Sequence, residues 1–163
     1  MNRGIDLACD GDIVLPRSLL RALHRRALRA ARAMGCTGAQ LQGLTLRIVD
    51  DPTMRELKQR HFGLDEAADV LSFPAGEPIP GEELEAFGEL VLNRDAVARQ
   101  ASAPGWSGWL DEATQLTIHG VAHLQGHDHD QRTRARRMLA RERRGCRAVG
   151  LPCHRPYGGG MAR

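Results

Sequence analysis

Eleven residues constrain this chain more than any other stretch: His119-Gly120-Val121-Ala122-His123-Leu124-Gln125-Gly126-His127-Asp128-His129. His119 and His123 stand four apart, so on a helix both imidazoles project from one face. Gly126 offers the left-handed backbone that ends a helix and turns the chain back. The turn brings His129 towards the same point. Any fold for this chain must therefore carry a helix whose C-terminal end gathers three imidazoles. Three neutral nitrogens with a fourth position open form the donor set of a catalytic zinc, one ion per chain, whose bound water is a nucleophile near neutral pH. A structural metal, or three histidines that meet no metal, are the alternatives. His127 falls on another phase and reads as lining the cleft, not as a fourth ligand.

The spacing H-x-x-x-H-x-x-G-x-x-H is also the ligand frame of metzincin proteases, which place Glu directly after the first His as general base. Here that position is Gly120. Peptide hydrolysis would need a different proton acceptor. The nearest carboxylate is Asp128, the candidate catalytic residue, which either orients a ligand imidazole or acts as the base.

The remaining pattern is mixed. Residues 16–34 read as a helix, with Leu19, Leu23, Ala27, Ala30 and Met34 on one face and Arg21, Arg25, Arg29 and Arg32 on another. Residues 44–49, 69–73 and 88–93 read as strands. Helices are expected over 51–61, capped by Asp51, over 94–101, over 109–125, and over 131–145, capped by Asp130. Residues 75–86 and 102–108 read as loops, and the tail 152–163 as frayed. The expected fold is α/β (α+β): one domain over 1–163, a small mixed sheet of about four strands, and several helices around a metalloprotease-like three-His site. A chain of 163 residues suits one domain and can bury a core without disulfides.

Charge is unevenly spread. Residues 131–163 hold ten arginines against Glu142 alone, a net +9, while residues 1–130 hold 13 basic and 19 acidic groups, a net −6. Lys58 is the sole lysine among 23 basic residues. A +9 segment attracts phosphate backbones, and arginine adds forked phosphate recognition. Arg136 and Arg137 are the nucleic-acid-contact candidates on the last helix. Cys9, Cys36, Cys146 and Cys153 form no C-x-x-C pair and read as reduced thiols; a second metal site at Cys153 and His154 is the minor alternative. No apolar run reaches the length of a membrane span, and the first residues lack a signal-peptide layout, so a cytoplasmic protein with no membrane partner is expected.

Taken together, these motifs resemble the YbeY family of zinc-dependent endoribonucleases. The signature H-G-x-x-H-x-x-G-x-D-H is carried by His119, Gly120, His123, Gly126, Asp128 and His129. Asp69-Val70-Leu71-Ser72-Phe73-Pro74 is similar to the family's T-D-V-L-S-F-P strand, and Gly88-Glu89-Leu90-Val91 to its G-D-I-x segment. Leu44–Asp51 and the Arg-rich end with Pro156-Tyr157 fit in the same order. Two positions depart: Phe62 stands where many members have Arg, and Ala68 where they have Thr. Arg60, two residues before Phe62, is the candidate to contact phosphate in place of that Arg. The resemblance implies zinc on His119, His123 and His129 and cleavage of single-stranded RNA. It also implies a role in 16S rRNA 3′-end maturation and ribosome quality control, with the small ribosomal subunit as partner. Another zinc hydrolase, such as an atypical peptidase, and a non-catalytic ribosome-associated RNA-binding factor are the competing functions.

Overall fold

The computed structural model describes residues 4–76 and 87–153. Most of the expected loop 75–86 and tail 152–163 lies outside the described residues.

Four strands make one sheet: β1 (Asp6–Cys9), β2 (Leu44–Val49), β3 (Val70–Pro74) and β4 (Gly88–Asn93). Their order is β1-β2-β4-β3. β1, β2 and β4 run parallel, and β3 is antiparallel to β4. Among the described residues six helices surround the sheet: α1 (Arg17–Ala33), α2 (Gly38–Gln42), α3 (Asp51–Phe62), α4 (Arg94–Gln100), α5 (Gly105–Leu124) and α6 (Arg132–Val149). This is the expected mixed α/β architecture. β1 and α2 add to the elements the sequence predicts, and α5 begins at Gly105, four residues earlier than its apolar pattern.

Alternation along the strands splits the interior in two. Leu44, Leu46, Ile48, Leu90 and Leu92 face α1 and α5 in the larger core. Val49, Leu71 and Val91 face Met54 of α3 on the other side. The histidine helix α5 therefore lies on one face of the sheet and α3 on the opposite face. Helix α1 buries Leu19, Leu23, Ala27, Ala30 and Ala31. Arg21, Arg25, Arg29 and Arg32 are exposed, while Arg26 pairs with Asp111 of α5 at 2.6 Å.

Two expected caps shift. Asp50 caps α3, accepting from the Thr53 N–H at 3.0 Å. Asp51 sits inside the first turn, where Asn93 Nδ2 (2.6 Å) and Arg99 Nη1 (2.6 Å) donate to it. Asp130 does not cap α6; it pairs with Arg134 one turn on, at 3.4 Å.

Two glycines set how closely α5 and α6 dock. A Cβ on Gly120 would lie 2.7 Å from Leu90 Cδ2 and 3.3 Å from Ser72 Oγ, so α5 sits directly on β4 and β3. A Cβ on Gly145 would lie 2.9 Å from Met34 Sδ and 3.1 Å from Ile118 Cγ2, so α6 closes on α1 and α5 at that point.

The four cysteines are free thiols. Burial pushes the Cys36 thiol up to about 11 and the Cys146 thiol, beside Cys153, up to about 12. Cys36 and Cys146 are expected to resist a disulfide reagent in the folded protein and to react once guanidinium unfolds it. Stoichiometric labelling of all four within minutes under native conditions would contradict this burial. His154 lies outside the described residues, so the minor metal-site reading at Cys153 has no partner to describe.

Candidate metal centre

Helix α5 ends as the sequence requires. Gly126 has φ +83°, its N–H donates to the His123 carbonyl (2.9 Å), and the His127 N–H donates to the Ala122 carbonyl (3.0 Å). This pair of backbone bonds is a Schellman turn, closed by a residue that only glycine occupies without strain. The chain reverses, and His129 arrives beside the helix it has just left.

The three histidines meet. One ring nitrogen from each of His119, His123 and His129 lies within 4.8 Å of the others. His123 Nε2 is 3.2 Å from His119 Nε2. Two nitrogens on one tetrahedral zinc at about 2.05 Å each would be about 3.3 Å apart, so this pair already has the required separation. His129 Nε2 is buried with no hydrogen-bond partner. A buried, unpartnered imidazole nitrogen costs free energy unless something binds it. The donor set, the separation and the orphaned nitrogen all fit a zinc ion. Burial and the neighbouring imidazoles of His119 and His129 bring His123 down to about 4, so it is neutral and able to donate a lone pair at physiological pH.

Around the three rings the arrangement is asymmetric. His119 Nδ1 donates to Glu142 Oε1 of α6 at 2.6 Å, and both side chains are buried. The sequence reading missed Glu142, because it counts there as a lone acid within an arginine run. A signal was available: Glu142 falls in phase with Met138, Gly145 and Cys146, the buried stripe of α6. Asp128 does something else. Its Oδ1 accepts from the His129 backbone N–H at 2.7 Å, which braces the turn. Burial raises its carboxyl, but the His129 N–H and the nearby His123 and His129 rings outweigh that, leaving it below the usual carboxylate range.

The arginine candidates separate in space. Arg136 and Arg137 are both exposed, yet they project about 100° apart around α6. Burial, and then the charges of Arg141 and Arg137, depress the His127 imidazole. Arg141 is fixed: its Nη1 donates to the Met34 carbonyl at 2.8 Å, the same acceptor used by Gln125 Nε2 at 3.0 Å. The C-terminus of α1, the histidine turn and α6 thus share one carbonyl. Arg136 is on the other flank of α6. Arg60 is exposed on α3, across the sheet from α5. Phe62 is not a surface substitute for a cation; its ring stacks on Phe73 at 6.2 Å within the smaller core.

No helix among the described residues is long and apolar enough to cross a membrane.

Known proteins share this fold and much of this sequence. A solution structure of a Thermotoga maritima protein superimposes with a TM-score of 0.53, covering 96% of this chain and 99% of that one at 21% identity, which supports the fold. Curated relatives named Endoribonuclease YbeY include one from Halorhodospira halophila, 40% identical over 111 residues (67% of this chain, 71% of the relative). Another, from Chelativorans sp., is 38% identical over 138 residues (82% and 83%). A third, from Moorella thermoacetica, is 35% identical over 147 residues (86% and 92%). The family model described as Endoribonuclease YbeY matches residues 10–150, which contain β2, β3 and β4, helices α1 to α6 and the three histidines, and the chain belongs to that family.

Proposed function

We propose that this chain is a zinc-dependent endoribonuclease that cuts single-stranded RNA, and that it works in the cytoplasm on the small ribosomal subunit, in 16S rRNA 3′-end maturation and quality control. The observation that carries the enzymatic part is the convergence of His119, His123 and His129 in the family's own motif, with one buried nitrogen unpartnered. The ribosomal part is supported by the family resemblance and by the basic α6 beside the site.

A zinc bound there would supply a water of lowered pKa and a positive charge opposite a phosphate oxygen. The chain's own residues do the rest. His119, His123 and His129 present neutral nitrogens. Asp128, whose carboxyl lies below the usual carboxylate range, is the candidate acceptor for a proton from the attacking oxygen, either water or the neighbouring 2′-hydroxyl. Arg137, on the flank of α6 beside His127, meets the backbone phosphates next to the scissile one. Arg136 and Arg60 contribute to the wider field. Gly120 argues against peptide hydrolysis, since the protease base is missing and the position is packed against Leu90.

The test is cleavage of a single-stranded fragment of small-subunit rRNA by purified protein, with and without chelator, beside an RNA duplex and casein. Cleavage confined to the single strand, lost with chelator and restored by zinc, is the expected result. A 5′-phosphate on the product indicates attack by water, and a 2′,3′-cyclic phosphate indicates attack by the 2′-hydroxyl. Casein digestion without RNA cleavage would reverse the assignment.

The arginines make a separate prediction. Arg137→Ala is expected to weaken binding of single-stranded RNA and to lower the slope of log affinity against log salt by about 0.7. Arg136→Ala should have a similar effect on the slope but a smaller one on cleavage, because it faces away from His127. Equal affinities for wild type and the double variant in 50 mM salt would remove α6 from the RNA interface.

A further inference from the structure

Glu142 is buried where an acid has little reason to be. It is 5% exposed on a helix whose 18 residues include eight arginines, yet it does not share the exposed face they occupy. Instead it turns inward. Taking a carboxylate out of water costs several kcal/mol unless its partner and geometry are good. Its partner is His119 Nδ1, 2.6 Å away and 4% exposed on its side chain. The backbone explains how it gets there. Gly145, three residues on, lets α6 approach Ile118, and Glu142 then falls on His119, the next residue of α5.

We propose that Glu142 is the positioning residue of the metal centre. It accepts the Nδ1–H of His119, fixes that tautomer, and leaves the Nε2 lone pair aimed at the point shared with His123 and His129. The carboxylate also makes the imidazole a stronger donor and offsets part of the charge of a dication. Asp128, considered from sequence for the same task, instead holds the backbone of the turn. Because Glu142 rides on α6, one helix both fixes a histidine and carries Arg141 and Arg137, whose charges reach His127. Docking of α6 is therefore a condition for a competent centre. This inference rests on the metal reading above and does not depend on the substrate being RNA.

The experiment measures zinc affinity of the full chain by competition with a chromogenic chelator, the visible spectrum of the cobalt-loaded protein, and the melting temperature of the metal-free protein. Glu142→Ala is expected to bind zinc 10- to 100-fold more weakly and to shift the cobalt bands. Glu142→Gln keeps an acceptor oxygen of the same reach but not the charge, so it should fall between Ala and wild type, several-fold below wild type. If Ala does not fold, Gln decides by the same criterion. Zinc affinities within twofold of wild type with superimposable cobalt spectra would overturn the proposal, whatever happens to the melting temperature. A wild-type protein that takes up neither zinc nor cobalt would overturn both this proposal and the metal reading.

Discussion

Replacing His123 with alanine should abolish RNA cleavage while leaving the protein folded. The side chain contributes one of three nitrogens gathered within 4.8 Å, and two imidazoles do not hold zinc in a tetrahedral site. Zinc affinity should fall by more than about 100-fold, beyond the range expected for loss of a supporting hydrogen bond. Cleavage should fall to the level of buffer, because no other cluster of three such side chains occurs among the described residues. The cost to the fold is expected to be small, about 1 kcal/mol or less. His123 is half-buried at the end of α5, and its ring packs mainly against the other two histidines. Parallel measurement of melting temperature, zinc uptake and cleavage by proteins purified side by side separates these effects. Wild-type cleavage by His123→Ala would place the activity elsewhere or in a contaminant.

The second large effect concerns Gly120. A glutamate there would recreate the protease motif on paper. In the fold it should wreck the protein instead. The first added carbon meets Leu90 Cδ2 at 2.7 Å, and the rest of the side chain would run into the sheet. Overpacking costs about 1–3 kcal/mol, and a buried, unpaired carboxylate about 3–5 more. That approaches the whole stability of a domain of this size. Gly120→Glu is expected to lower the melting temperature by about 10 °C or more or to prevent folding, and to digest no casein. Gly120→Ala, which asks the end of the Leu90 side chain and the Ser72 hydroxyl to give but buries no charge, should be milder. A stable Gly120→Glu protein with peptidase activity would refute the packing argument.

The histidines were legible in sequence because their geometry is local. The helical period puts His119 and His123 on one face, and a single glycine dictates the reversal that returns His129. The burial of α1 and the alternation along β2 were legible for the same reason. What was hidden depends on distant partners. β1 has four residues, alternately exposed and half-buried, and becomes a strand because β2 lies beside it. α2 has five residues, with a capping box between Thr37 and Gln40 as its main signal. Glu142 lies 23 residues from His119, and only the docking of α6 joins them. The choice between Asp50 and Asp51 as a cap also turned on a remote event. Asn93 and Arg99 claim Asp51, leaving Asp50 for the helix end.

The Schellman turn has a consequence for how such a sequence can drift. The path from His123 to His129 is held by main-chain bonds, Gly126 to His123 and His127 to Ala122, and Gln125 is tied to the carbonyl of Met34 rather than to its side chain. Main-chain groups survive substitution. The residues at 34, 122, 124 and 127 can therefore be exchanged for others of tolerable size without displacing His129. Within this stretch the groups whose chemistry a substitution would lose are the glycine at 126, the three clustered histidines and Asp128, whose carboxylate accepts the His129 N–H. Lineages can then diverge widely around the turn and still inherit the same three-nitrogen cluster.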